Sequence, residues 1–143
     1  MADDIKNTTP VEKKAKPVAG SKRKVIKNFA EGRLYVKSSF NNTIVSITDP
    51  KGNTLAWSSA GHCGFKGARK STPYAATTAI ERTLESAKKF GIKKLYVYLK
   101  GPGVGRDATL RYLRSRREFE VEEISDITPI AHNGPRPPKA RRV

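Results

Sequence analysis

The chain has 143 residues, about one domain's worth of material with flanks to spare. Its 29 Lys and Arg against 13 Asp and Glu give a formal net charge of +16. Such an excess points to a polyanionic partner, nucleic acid first and an anionic membrane surface second. The longest unbroken apolar run, Leu95 to Leu99, is far too short to cross a bilayer, so no membrane partner is expected.

The start Met1-Ala2-Asp3-Asp4 is acidic where a secretory signal would be basic, and no apolar stretch follows. The single cysteine, Cys63, excludes an internal disulfide framework and suits a reducing compartment, so the cytoplasm is the expected location. Residues 1–30 are rich in Lys, Ala and Pro with few apolar anchors, which predicts a basic, disordered extension. A single α/β domain over 31–131 and a basic, proline-rich tail over 132–143 complete the expected organisation.

Strand signals begin at Arg33, where Leu34 and Val36 alternate with Tyr35 and Lys37. Val45 and Ile47 alternate with Ile44 and Ser46, then Leu55 and Trp57 with Ala56 and Ser58. Asp49-Pro50-Lys51-Gly52-Asn53 between the last two has turn composition, which predicts a hairpin. A loop of small and basic residues, Gly61 to Thr72, leads into a helix with Thr72 as cap, Pro73 at its first position and Gly91 at its close. Ala76, Ala79, Ile80, Leu84, Ala87 and Phe90 form its apolar stripe, and Glu81 and Glu85 are expected to pair with lysines. Lys94 to Lys100 is a strand. Asp107 is read as the cap of a second helix through Arg117, with Leu110 and Leu113 as its apolar pair. Val121, Ile124, Ile127 and Ile130 suggest a last strand. The order β-β-β-α-β-α-β implies a mixed sheet covered by two helices. Tyr35, Trp57, Tyr96 and Tyr98 are read as core or interface residues before base-stacking ones.

Enzyme motifs are absent where they would be sharpest. In Gly101-Pro102-Gly103-Val104-Gly105-Arg106, arginine stands where a dinucleotide fingerprint needs glycine, and neither glycine loop supplies the Gly-Lys-Ser/Thr of a phosphate-binding loop. His62, Cys63 and His132 do not make the three or four ligands of a zinc site. A nuclease needs carboxylates converging from several elements. Here Asp49 sits in a turn, Asp107 reads as a cap, and Glu118 to Asp126 cluster on one segment. No catalytic residue, metal or cofactor is expected.

The positive signals are cationic. Gly64 to Thr72 and Gly101 to Arg106 interleave glycines with cations, letting backbone approach phosphates beside charged side chains. Each leads into a helix N-terminus, which favours an anion. Arg111 and Arg114, one helical turn apart, could grip adjacent phosphates. Phe40-Asn41-Asn42-Thr43 forms a turn whose amides could bond bases or 2′-hydroxyls. Solvated cations and plain turns remain the alternative for each.

SSFNNTIVSITDPKG (38–52), GFKGARKSTPYAA (64–76), KGPGVGR (100–106) and DITPIAHNGPRPPKARRV (126–143) together resemble the eleventh-protein family of the bacterial small ribosomal subunit, in one collinear register from about residue 30 onward. The proline-rich basic end is similar to bacterial and organellar members. The resemblance implies a fold similar to ribonuclease H without its catalytic carboxylates. It also implies a place on the small-subunit platform bridging helices of 16S-type rRNA. The implied neighbours are the sixth, seventh and eighteenth small-subunit proteins, the third initiation factor nearby, and the mRNA Shine–Dalgarno cleft. By matching position it implies rRNA contacts at Asn41, Asn42, Lys66, Arg69, Lys70, Ser71, Arg106, Arg111, His132, Asn133, Arg136, Lys139, Arg141 and Arg142. Arg114 joins them from the helix reading. The expected compartment is the cytoplasmic small subunit rather than an organellar one. A free-standing RNA-binding regulator is the alternative, and a nuclease the third reading.

Overall fold

The computed structural model describes residues 28–140. The expected N-terminal extension as far as residue 27, and Arg141 and Arg142 of the tail, lie outside the described residues. Three strands, β1 (Glu31–Ser38), β2 (Thr43–Thr48) and β3 (Thr54–Ser59), run as an antiparallel meander. After a short 3-10 turn (Gly67–Ser71) come α1 (Pro73–Lys88), β4 (Lys94–Lys100), α2 (Gly105–Ser115) and β5 (Glu120–Asp126). The sheet order is β3-β2-β1-β4-β5, with β4 parallel to β1 and β5 parallel to β4. This is the mixed α/β architecture that the element order implied.

Both crossovers, β3–α1–β4 and β4–α2–β5, step across the sheet in the same direction, so right-handed connections put both helices on one face. α1 lies over β2 and β3, α2 over β1, and the helices touch each other. The alternating strand pattern then fixes the core. Leu34, Val36, Val45, Ile47, Leu95, Val97 and Leu99 point under the helices and meet Ala79, Ile80, Leu84, Ala87 and Leu113. Each fully buried branched chain of this kind contributes about 1.5–3 kcal/mol. Tyr35, Tyr96, Tyr98 and Trp57 occupy the alternate positions and so lie on the uncovered face, not in the core; Trp57 is 57% exposed.

α1 forms as its sequence signals say. The Thr72 hydroxyl accepts from the Ala75 amide at 3.2 Å, Pro73 opens the first turn, and Gly91 takes a positive φ of 72° just beyond the end. Phe29 packs against the core and its amide donates to the Phe90 carbonyl at 2.9 Å. Three expectations need correcting. α2 begins at Gly105, with Asp107 inside its first turn, and it ends at Ser115, not Arg117. β5 ends at Asp126, and Ile130 beyond it is 80% exposed, because a Thr128-to-Asp126 turn (2.9 Å) carries the chain off the sheet. Glu81 pairs with Arg116 across the helices at 3.3 Å, not with a lysine.

Candidate nucleic-acid interface

β1, β3, β4 and β5 all run in one direction, so their carboxyl ends share one edge of the sheet. Four segments meet there: the Ser39–Asn42 turn, the 60–72 loop, the 101–104 loop and the chain after Asp126. Both helices start at the same edge. In open α/β sheets this is where ligands bind. The fold thereby gathers Asn41, Asn42, Lys66, Arg69, Lys70, Ser71 and Arg106 onto one edge, with the origin of the tail beside them.

The two glycine loops, alike in sequence, differ in what they face. In the 101–105 loop a Cβ on Gly101, Gly103 or Gly105 would collide with Ser38, Ser39 or Thr43. These glycines let the loop lie flat on the end of β1. Their amides are already used: Gly101 donates to Thr128 Oγ1 (3.1 Å), Gly103 to the Ser38 carbonyl (3.1 Å) and Gly105 to Ser38 Oγ (3.0 Å). Arg106 reaches the Gly101 carbonyl (3.2 Å) and pairs with Asp126. Asp107 adds a negative charge to the first turn of α2, which disfavours an anion there. Within the protein the loop thus acts as a brace on the end of β1.

The 64–72 loop is open. Gly64 (φ 93°) and Gly67 (φ 58°) have positive φ, and a Cβ on either would meet nothing within 4 Å. Lys66 and Arg69 are exposed and Lys70 half-buried, with no acid in the first turn of the 3-10 segment or of α1. Ser71 donates its hydroxyl to the Ala68 carbonyl at 2.8 Å, tightening the turn that presents them. An edge-to-face contact of Phe65 with Tyr74 (5.8 Å) ties the loop to α1. Among the described residues the ion pairs are Lys88–Glu118, Lys94–Glu122, Arg106–Asp126 and Arg116–Glu81. Of the predicted cations that lie among the described residues, only Arg106 is spent in this way.

The Ser39–Asn42 turn is closed by Ser39, whose amide and hydroxyl both donate to the Asn42 carbonyl (2.9 and 3.0 Å). Asn41 is exposed, while Asn42 Oδ1 is shielded and has no partner. Arg111 and Arg114 stand one turn apart on α2, both exposed, and border different grooves. Arg111 lines a groove with Tyr74, Val104 and Asp107 between the helices, and Arg114 lines one with Arg117, Phe119 and Ile124 beside β5. His132, Asn133, Arg136 and Lys139 are exposed, and Asn133 takes a positive φ of 52°. Sequence reasoning passed over the exposed apolar side chains at this edge, Phe40, Tyr74 and Val104. Phe40 was detectable, because it sits in a turn outside any apolar alternation.

No group of three or more His, Cys, Asp or Glu that could hold a metal ion occurs among the described residues. Asp49 is occupied as a turn lock, accepting from the Asn53 amide (2.8 Å) and side chain (2.9 Å), and these bonds hold its carboxyl below the usual range. It sits at the β2–β3 turn, the opposite end of the sheet from Asp107 and Asp126.

Comparison with known proteins agrees with this picture. The family model described as Ribosomal protein S11 matches residues 32–142. The chain is 54% identical over 129 residues to the proteins named small ribosomal subunit protein uS11 of Borreliella burgdorferi (strain ZS7) and Borreliella afzelii (strain PKo). The same identity relates it to that of Borrelia garinii subsp. bavariensis. Each match covers 90% of this chain and 98% of the relative.

Proposed function

The chain belongs to the ribosomal protein S11 family, and from that premise we propose that it holds 16S-type rRNA at the platform of the small subunit, bridging rRNA helices and helping to form the cleft for Shine–Dalgarno pairing. As a member of that family it is a structural, rRNA-binding constituent of the cytoplasmic small ribosomal subunit and not an enzyme. The observation that carries the finer reading is the 64–72 loop, where cations without an acidic partner among the described residues and two positive-φ glycines face open space at the edge where both helices begin. Phosphates of a folded RNA junction can approach that backbone closely, while Lys66, Arg69 and Lys70 supply charge. Asn41 at the neighbouring turn suits bases or 2′-hydroxyls.

The 101–106 loop contributes by rigidity: it fixes the origin of the tail through Thr128 and Asp126. His132, Asn133, Arg136, Lys139, Arg141 and Arg142 then follow as a tail that orders on RNA, with the residues before Asn28 as a second basic extension. The sixth, seventh and eighteenth small-subunit proteins, and the third initiation factor, are the neighbours we assign to this position. Sedimentation of the native protein tests the reading. It travels with small subunits and ribosomes if the reading holds. A mainly free pool at physiological salt would instead favour a free-standing RNA-binding regulator.

A further inference from the structure

The sheet has two unequal faces, because both helices lie on one of them. On the other, side chains line up in rows across the strands. Ser46 pairs in register with Trp57 on one side and Tyr35 on the other, and Tyr35 with Tyr98. The Tyr35 and Tyr98 rings stack at 5.0 Å and 18°. Trp57 is 57% exposed and steadied by the edge of His62 at 5.1 Å. The next row toward the carboxyl edge is Ile44–Lys37–Lys100. Lys37 and Lys100 are direct cross-strand neighbours, both exposed, and neither has an acidic partner among the described residues. Like charges side by side on a sheet are unfavourable unless an anion bridges them.

We propose that this uncovered face is a platform for a single-stranded RNA segment, its bases stacking on Trp57 and beside the Tyr35–Tyr98 pair and its phosphates bridging Lys37 and Lys100. The proposal rests on the RNA-binding reading above and extends it from the loop edge onto the adjoining sheet. Aromatic rings beside a cationic track are the general means of holding single strands, whose bases are free to stack; paired bases of a duplex are not. The same lysines argue against a protein partner, since lysine is depleted at the centre of protein interfaces. They also argue against the chain's own residues 1–27, which carry eight basic and three acidic side chains.

Trp57 is the one tryptophan of the chain, so indole fluorescence of the full-length protein reports on this face, and the variants below separate it from the neighbouring loop edge. Titration with unstructured oligouridylate should quench it, whereas an RNA duplex of equal length should not. In anisotropy with labelled oligouridylate, Trp57→Leu and the double variant Lys37→Gln/Lys100→Gln should each weaken binding at least about fivefold. Circular dichroism establishes first that both variants fold; the replaced side chains are exposed. If oligouridylate leaves the fluorescence and the variants' affinities unchanged while a folded rRNA junction fragment still binds, the platform is overturned and the loop-edge reading stands. If neither RNA binds, both fail. Quenching by an acidic peptide in preference to oligouridylate would overturn the proposal in favour of a protein partner.

Discussion

Ser38 and Gly105 stand 67 residues apart in the chain, yet the Gly105 amide donates to the buried Ser38 hydroxyl at 3.0 Å. A residue at the end of β1 therefore caps α2 from outside. Val104, at the N-cap position, has helical φ and ψ and no side-chain cap of its own. Thr43 Oγ1 lies 3.4 Å from the same hydroxyl, and a Cβ on Gly105 would run into both. Ser38→Ala leaves the buried Gly105 amide without an acceptor and should cost about 1–3 kcal/mol. Urea unfolding measures it. An unchanged midpoint would mean that the cap carries no stability.

The Arg106–Asp126 pair predicts a pH dependence. Hydrogen bonds from the Thr128 hydroxyl and amide, with help from Arg106, hold the Asp126 carboxyl below its ordinary value of 3.8. A depressed folded-state pKa means stabilisation that is present above the ordinary value and lost as pH falls below it. Asp126→Asn should therefore lower Tm near neutral pH, and the gap to the native protein should close progressively in acid below 3.8. A gap that stays constant down to strongly acid pH would show that the charge is not what Asp126 contributes.

These two sites also mark where sequence reading stops. β1, β2 and β4 are legible because the helices bury every second residue, leaving a clean apolar alternation at Leu34/Val36, Val45/Ile47 and Leu95/Val97/Leu99. α1 is legible because Thr72, Pro73 and Gly91 are local signals. The start of α2 is not, because its cap comes from β1. The edge strand β5 keeps no residue fully buried and a bulge shifts its register at Leu95/Tyr96, so its alternation fades. The glycine loops read alike in sequence, and only tertiary structure separates glycines pressed on Ser38 and Thr43 from glycines facing open space. Nor does alternation say which faces of a sheet are covered, so the tyrosines and Trp57 could not be assigned before the two crossovers were seen to share a face.

Binding to a platform rRNA fragment should be strongly salt-dependent. If about six to ten phosphates are neutralised, affinity should drop by roughly three to five orders of magnitude between about 50 and 200 mM salt, on the scale known for duplex nucleic acid. Filter binding over that range measures the slope. A near-flat response would remove the electrostatic basis of the mechanism.

The last prediction separates loop shape from charge. Gly67 has φ 58° and nothing within 4 Å of where a Cβ would stand, so a substitution there meets a conformational barrier and no steric one. Valine, branched at Cβ, is strained at that φ by about 1–3 kcal/mol. The loop escapes the strain by leaving the shape that presents Lys66, Arg69 and Lys70. Asparagine tolerates the left-handed region and should keep that shape. Neither substitution changes the charge. Gly67→Val should thus weaken rRNA binding at least as much as Lys14→Ala, which removes a cation from the N-terminal extension, while Gly67→Asn should stay close to the native protein. Circular dichroism on all three variants excludes a collapse of α1. If all three fold and Lys14→Ala proves the most damaging, the principal RNA contact lies in the N-terminal segment and not at the 64–72 loop.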